Sequence, residues 1–293
     1  MPGTHREKLA QLLSAGQLIK APGVYDGLSA LLVEQAGFEC AFLSGGSLSF
    51  ARFGRPDMGL VCASEVADTV AILRDRVALP LIVDMDTGFG NAINVQRTVR
   101  DLERAGATAL QMEDQVSPKR CGHMAGKSVI GCEEMLGKIK AALDVRQHDG
   151  TLLIARTDAL GVNGFDDALE RAQRYREAGA DVLFIEAPQS IEQMQRIGSE
   201  FGAAIPLVHN LVEGGGSPVA DVGLLQDMGY RIALYPVALL HTFVPHARNV
   251  LQEIQRTGST AQLREQMLEL SDMNTLLGAD QLLAAGQTYD SRD

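Results

Sequence analysis

The sequence predicts an α/β protein, a (β/α)8 barrel of the TIM type, on three observations. Short β-branched or apolar runs recur along the chain, they alternate with longer stretches of helical periodicity, and ionisable residues collect where the runs end. The runs are Ile19–Tyr25, Cys40–Ser44, Leu81–Asp86, Ala109–Glu113, Leu152–Thr157, Val182–Glu186, Leu207–Asn210 and Ile232–Tyr235. Helices are expected between them at Gly27–Ala36, Ser64–Arg76, Asn94–Ala105, Glu133–Ala142, Asp166–Ala178 and Ile191–Phe201. Three of these run into a glycine, Gly37, Gly106 or Gly179, the residue that supplies a left-handed helix cap before the next strand. A doubly wound open sheet is the rival architecture, but no glycine-rich dinucleotide loop follows the first run. After Tyr235 the stretches Val237–Thr257 and Ala261–Leu277 hold more helix than one closing barrel helix requires. The expected organisation is one barrel domain over 1–293, with 237–293 as a helical extension. That extension either packs on a partner subunit or caps its own barrel.

The chain has 26 Lys and Arg against 37 Asp and Glu, a formal net charge of −11. Such an excess argues against nucleic acid and anionic membranes as partners, since both select clustered positive charge. No apolar run approaches the roughly 18 residues of a membrane span, and the stretch up to Gly16 lacks the apolar core of a signal peptide. The four cysteines, Cys40, Cys62, Cys121 and Cys132, form no paired framework, so a reducing cytoplasmic location is expected.

A barrel of this kind carries its active site at the C-terminal ends of the strands. Run three ends Asp84-Met85-Asp86, run four Glu113-Asp114, run five Arg156-Thr157-Asp158, run six Glu186 and run seven His209-Asn210. Asp84 and Asp86 lie two apart, which on a strand puts both on one face. Paired carboxylates repel unless a proton or a cation lies between them. With Glu113 beside them they form an oxygen-only set suited to a hard ion, Mg²⁺ or Mn²⁺. The competing reading makes these acids caps and solvated loop residues. The long segment after run four, with Gly122 and Gly126 inside it, can fold over a ligand. Cys121 lies there between Lys119-Arg120 and His123, a basic setting expected to lower its pKa and equip it for proton transfer. Cys40, Cys62 and Cys132 read as structural. Ser44-Gly45-Gly46-Ser47 reads as a tight turn whose N–H groups can bind a carboxylate. Lys20 would suit a Schiff-base aldolase but lies at the wrong end of its strand.

Asp84-Met85-Asp86-Thr87-Gly88-Phe89-Gly90-Asn91, Glu113-Asp114-Gln115 and Lys119-Arg120-Cys121-Gly122-His123 resemble the isocitrate lyase/phosphoenolpyruvate mutase superfamily. Lys-Arg-Cys-Gly-His is the lyase signature. The likeness extends from Val24-Tyr25-Asp26 through Pro56-Asp57 to Ala233-Leu234-Tyr235-Pro236, nearly the whole chain. It implies an α/β barrel whose late helices swap between subunits in a homotetramer. It implies Mg²⁺ at Asp84, Asp86 and Glu113, mostly through water. Cys121 would be the general acid. Arg156 and Ser44, Gly45 and Gly46 would hold the α-oxyacid end of a small carboxylate substrate. Asp57, Lys119, Gly122, His123, Glu186 and Asn210 would complete the substrate pocket.

The implied reaction is retro-aldol cleavage of a 2-hydroxy di- or tricarboxylate, 2-methylisocitrate or 2,3-dimethylmalate, to pyruvate and a second carboxylate. The stretch Glu213-Gly214-Gly215-Gly216-Ser217-Pro218 resembles the dimethylmalate lyase and carboxyphosphonoenolpyruvate mutase branch. Phosphonate-forming mutase chemistry, and oxaloacetate hydrolysis or decarboxylation, are the alternatives. A non-catalytic barrel would show decay at the metal and acid positions, and all of them are intact. Three residues depart from the family pattern. Phe42 replaces a frequent Tyr, which leaves the base unnamed. Arg55 replaces an apolar residue and reads as solvated. His209 replaces a small residue and, by strand alternation, should face away from Asn210.

Overall fold

The computed structural model describes residues 4–219 and 221–289. Positions 1–3, 220 and 290–293, which the expected domain and its extension include, lie outside the described residues. The chain divides into two compact units, the first running to His241 and the second starting at Thr242.

The first unit carries eight parallel strands: β1 (Ile19–Val24), β2 (Ala41–Leu43), β3 (Leu81–Asp84), β4 (Ala109–Glu113), β5 (Leu152–Thr157), β6 (Val182–Ile185), β7 (Val208–Asn210) and β8 (Ile232–Tyr235). Their order is β6-β5-β4-β3-β2-β1-β8-β7. A single parallel bridge from Leu183 to Leu207 brings the two end strands together, so the sheet is a nearly closed barrel. All eight expected runs are strands, several trimmed by one or two residues at their ends. The helices are α1 (His5–Ser14), α2 (Gly27–Gln35), α3 (Gly45–Phe53), α4 (Ala63–Arg76), α5 (Ala92–Ala105), α6 (Cys132–Val145), α7 (Leu160–Asn163), α8 (Phe165–Glu177), α9 (Ile191–Phe201), α10 (Val222–Asp227) and α11 (Ala238–Thr257). Gly37, Gly106 and Gly179 all have positive φ, as helix-ending glycines require.

The expected helix Ala261–Leu277 is two elements. A 3-10 stretch, Ala261–Gln266, stops at the extended backbone of Met267, and α12 (Leu270–Leu277) follows. A further helix, α13 (Ala279–Gln287), comes after it, and none of these three elements has a buried residue. Among the described residues no helix is long and apolar enough to cross a membrane.

Strand alternation sorts the barrel into two cores. Outward residues such as Leu43, Val83, Leu110, Met112, Leu153 and Leu183 join the helices in one apolar cluster. Inward residues, including Ile19, Phe42, Ile82, Ala109, Ile154, Phe184, Val208 and Leu234, fill the barrel as a second cluster. Leu9 of α1 belongs to that inner set and is fully buried, worth about 2 kcal/mol of transfer free energy. A capping box between Thr4 and Glu7 starts α1, and Arg6 Nε, donating to Thr151 Oγ1 at 2.8 Å, ties it to the barrel. It escapes sequence reading because its ten residues mix charge with leucine. Cys40 is part of the inner core. Lys20, exposed in the first half of β1, is remote from the strand ends and carries no aldolase site.

The inward ladder changes character along the strands. Two residues beyond each of Ile82, Ile154, Phe184 and Val208 stand Asp84, Arg156, Glu186 and Asn210. The floor of the barrel is apolar and its mouth is ionisable. His209, on the other face of β7 from Asn210, is buried between the barrel and its surroundings. Its Nε2 lies 2.7 Å from Ser217 Oγ, and its ring meets Tyr230 edge-on at 5.6 Å. This is the structural placement that alternation predicted.

Burial pushes His209 down to about 4, and the neighbouring His123 adds to the shift. A base with a depressed folded-state pKa contributes stability that is present above its unfolded value of 6.5 and lost as pH falls towards 4. Thermal melts between pH 7 and pH 4 are therefore expected to show a loss on the order of 3 kcal/mol from this residue. His209→Asn should flatten that dependence. An unchanged pH slope in the variant would contradict the assignment.

Candidate active site

At the mouth of the barrel, β3 ends at Asp84, and the chain turns through Asp86 with a φ of +47°. The expectation that both carboxylates share one strand face is therefore corrected. Asp86 lies past the strand, in a left-handed turn that Asp tolerates better than most residues. The turn still brings the two together, and the backbone N–H of Asp86 donates to Asp84 Oδ1 at 3.0 Å. Burial, with Asp84 and Asp57 adding repulsion, pushes Asp86 up to about 7 even against the pull of Lys119. Lys119 Nζ lies 2.7 Å from Asp57 Oδ1 and 3.1 Å from Asp86 Oδ1. Its first task is thus to offset these acids.

Ser44 is not in a free-standing turn, as expected, but caps α3, whose first residues are Gly45 and Gly46. The N–H of Gly45 donates to Asp84 Oδ2 at 3.3 Å. A helix N-terminus therefore faces the acidic pair, and its partial positive charge favours anionic groups there.

Arg156 on β5 is clamped by Asp158. Its Nε and Nη2 donate to the two oxygens at 2.9 and 3.1 Å. Arg156 Nε also lies 3.3 Å from Glu113 Oε2, Nη2 lies 3.5 Å from Glu186 Oε1, and the guanidinium stands 5.2 Å over the Phe184 ring. Burial works against the charge on Arg156, but Asp158, Glu113 and Glu186 outweigh it and hold its pKa well above the ordinary value. Glu113 is pushed well up by burial despite Arg156. Behind this layer Asp114 accepts from Thr157 Oγ1, Tyr175 Oη, Arg171 Nη1 and the N–H of Asp158, which fixes the ends of β4 and β5.

The segment from Gln115 to Ile130 covers the mouth. Cys121 N–H donates to the carbonyl of Asp57 at 3.1 Å, which sets the thiol over the cavity rim. Gly122 is pressed against the barrel, and a Cβ there would overlap Glu186 Oε1 and Arg156 Nη2. His123 Nε2 lies 3.7 Å from Glu186 Oε1. The thiol pKa of Cys121 is raised, not lowered as its sequence neighbours suggested. Burial is the main cause, with Asp57 and Glu186 adding to it. The reason is geometric. Lys119 is turned away to Asp57 and Asp86, and Arg120 donates to the carbonyl of Ala125. A thiol that keeps its proton is what a general acid requires. Of the other cysteines, Cys62 is exposed just ahead of α4 and Cys132 is half-buried as the first residue of α6.

These parts enclose a cavity of about 60 Å³. Its lining includes the sequence-predicted Ser44, Gly46, Asp57, Asp84, Lys119, Cys121, Gly122, His123, Arg156, Glu186 and Asn210. Gly45, Asp86 and Glu113 lie directly behind it through the contacts above. Phe42, Phe50, Val212, Pro236 and Val237 form an apolar wall. Sequence reading assigned no role to Gln111, two residues before Glu113 on the same face of β4, or to Asp158, two residues after Arg156 and just past β5. Arg55 is exposed, as a solvated loop residue should be.

Buried polar atoms without a hydrogen-bond partner concentrate here. They include both oxygens of Glu113, Gln111 Oε1, Asn210 Oδ1 and His123 Nε2. Unmatched buried carboxylate oxygens are costly in a protein on its own, and they fit a bound cation and a polar ligand. Among the described residues no three His, Cys, Asp or Glu side chains are drawn into a tight metal-ligand set. The donors present, hard oxygens spaced around a polar cavity, suit an ion that keeps several of its waters, as Mg²⁺ does.

Residues 9–255 match the family model described as phosphoenolpyruvate phosphomutase, and the chain belongs to that family. It is an enzyme of the carbon–carbon lyase and mutase type. It is 38% identical to 2,3-dimethylmalate lyase of Eubacterium barkeri over 284 residues, 96% of this chain and 97% of that one. It is 43% identical to 2-methylisocitrate lyase of Aeropyrum pernix over 270 residues, 92% and 86% of the two chains. Among solved structures, oxaloacetate acetylhydrolase with 3,3-difluorooxalacetate superposes with a TM-score of 0.92 at 33% identity, covering 99% of each chain. Phosphonopyruvate hydrolase with oxalate and Mg²⁺ does so at 0.88 and 31%, covering 98% of this chain and 99% of that one.

The closeness of Gly122 to Glu186 and Arg156 leaves no room for a side chain. Gly122→Ala is expected to keep its melting temperature and lose about 100-fold in kcat/KM, because the lid cannot seat. Near-normal turnover in that variant would show that the lid does not close as the geometry requires.

Proposed function

We propose that this enzyme is a Mg²⁺-dependent lyase that cleaves the C2–C3 bond of a 2-hydroxy dicarboxylate of the 2,3-dimethylmalate type. The observation that carries the reading is the meeting, in one small cavity, of under-neutralised buried carboxylates, a buried arginine and a protonated thiol. Asp84, Asp86 and Glu113 would hold the cation, in part through water, with Mn²⁺ as a substitute. When bound, it supplies Lewis-acid polarisation of the substrate oxygen at C2 and offsets charge that builds there.

Arg156 and the N-terminus of α3 at Ser44, Gly45 and Gly46 orient the 2-oxyacid end. Asp57 and Lys119 fix the rim beside them, and Asn210 orients Glu186. Transfer of the hydroxyl proton to a general base drives scission of C2–C3, and an α-keto acid leaves. The other fragment retains the electron pair. Cys121 delivers a proton to that carbon, and its raised pKa keeps the proton available near neutrality. Gly122 and His123 exclude water while the carbanionic fragment exists.

The apolar wall of Phe42, Phe50, Val212, Pro236 and Val237 favours methyl groups at C2 and C3. The cations lining the cavity, Lys119 and Arg156, already face carboxylates of the protein. A third substrate carboxylate, as in 2-methylisocitrate, would meet that wall without a free cation. The exposed Phe243, Leu251, Leu270, Leu282 and Leu283 of the second unit support its packing on another copy, in a homotetramer with exchanged helices. The four free cysteines fit a reducing cytoplasm.

The test is product release from purified enzyme with Mg²⁺, with pyruvate, glyoxylate and oxalate each detected separately. Racemic 2,3-dimethylmalate, 2-methylisocitrate, isocitrate and oxaloacetate are compared, each with and without EDTA. Chelator-sensitive pyruvate from 2,3-dimethylmalate is expected, and Cys121→Ala should abolish it without lowering the melting temperature. Product from oxaloacetate alone would replace the reading with a hydrolase or decarboxylase. Silence throughout would favour phosphonate-forming mutase chemistry.

A further inference from the structure

The base of the lid is fixed. Val116 N–H donates to the carbonyl of Ser128 at 2.8 Å, Ile130 N–H to that of Asp114 at 2.9 Å, and Gln115 pairs with Val129 in an antiparallel bridge. Gln115 also exchanges hydrogen bonds with the backbone of Arg120, at 2.8 and 3.0 Å. The tip, 121–126, is tied more lightly, by the Cys121 N–H to the Asp57 carbonyl and by Arg120 to the Ala125 carbonyl. The tip is the roof over Glu186 and Arg156, with Gly122 packed directly against both.

Beside the 3.7 Å approach of His123 Nε2 to Glu186 Oε1, a fully charged side chain at the foot of the tip joins it to the barrel mouth. Lys127 Nζ donates to the carbonyl of Gly122 and to Asp158 Oδ1, the latter at 2.8 Å, and its side chain is only 7% exposed. Asp158 does not require this partner for its own burial, since Arg156 already donates to both of its oxygens. What Lys127 adds is a charged link from the roof to the carboxylate that aims Arg156. A charge-assisted bond of this kind in a site shielded from water is stronger than the same bond in solvent.

We propose that Lys127 is a positioning residue that latches the lid, coupling the seating of Gly122 to the orientation of Arg156 through Asp158. When Arg156 engages a substrate carboxylate, Asp158 is left with its charge available to Lys127, and the roof is drawn down. When product leaves, Arg156 returns to Asp158 and the hold on the roof weakens. The kinetic part of this inference rests on the lyase reading, whereas the motion of the lid does not.

Cys121, half-buried at the edge of the tip, reports that motion directly. The full-length enzyme on a Cys62→Ser background is treated with a disulfide reagent, and labelling of Cys121, Cys132 and Cys40 is resolved by peptide mass spectrometry. Lys127→Met keeps the aliphatic stem and removes the ammonium. Cys121 is expected to label about tenfold faster in this variant, with the rate at the core residue Cys40 unchanged. In the lyase assay kcat/KM should fall about tenfold or more. Lys127→Gln, which keeps a donor for Gly122 but no charge for Asp158, should label at an intermediate rate and serves if the Met variant does not fold. An unchanged Cys121 rate would overturn the latch. Equal acceleration at Cys40 and Cys121 would reduce Lys127 to general stabilisation. Faster Cys121 labelling in an enzyme that releases no pyruvate would leave the latch standing and remove the lyase reading instead.

Discussion

Crowding of carboxylates at the barrel mouth is the constraint on which the rest of the site depends. Asp57, Asp84, Asp86, Glu113, Asp158 and Glu186 converge there, against the permanent cations Lys119, Lys127 and Arg156. Lys119 and Arg156 are each shared between acids, and burial drives Asp86 towards protonation, up to about 7, even with Lys119 beside it. A fold optimised for stability alone would not gather so much like charge out of water. The arrangement would become favourable if the proposed divalent cation and an anionic substrate divided the charges between them. The same crowding explains the cavity's unmatched oxygens, which have geometry for ligands and none for one another.

The barrel makes this crowding possible. Alternate residues of every strand point inward, and the apolar floor of Ile82, Ile154, Phe184 and Val208 supplies the rigidity that holds Asp84, Arg156, Glu186 and Asn210 in fixed relation. The second layer does the same for the linking residues. Asp114, buried with four donors around it, locks the start of the loop after β4 to the end of β5, so Glu113 and Arg156 cannot drift apart. The catalytic thiol proposed here is mounted differently. It rides on the segment that covers the mouth, whose base is fixed by hydrogen bonds, and burial there keeps it protonated.

Much of this was legible in the sequence, because period-two alternation and strand-end polarity are local properties. All eight strands, the inward set on them and the outward placement of His209 follow from that rule. What the sequence could not convey depends on where neighbouring chain segments go. Asp86 is close to Asp84 by virtue of a left-handed turn, not a shared strand face. Lys119 stands two residues before Cys121, yet its ammonium is committed to Asp57 and Asp86, so burial decides the thiol's shift and its direction is the reverse of the expected one. The Ser44-Gly45-Gly46 segment looked like a turn because its glycines disfavour helix, whereas the Ser44 cap and packing against Asp84 make it the start of α3. Lys127 carried no signal at all, since its partners are a backbone carbonyl and a residue 31 positions away.

The central claim is that the crowded acids hold a divalent cation. Calorimetric titration of Mg²⁺ into metal-free enzyme tests it without recourse to any substrate. The account predicts a single saturable site that raises the melting temperature and is lost on replacing Asp84 and Asp86 with Asn. Absence of saturable binding at millimolar Mg²⁺, or binding that survives both replacements, would contradict it.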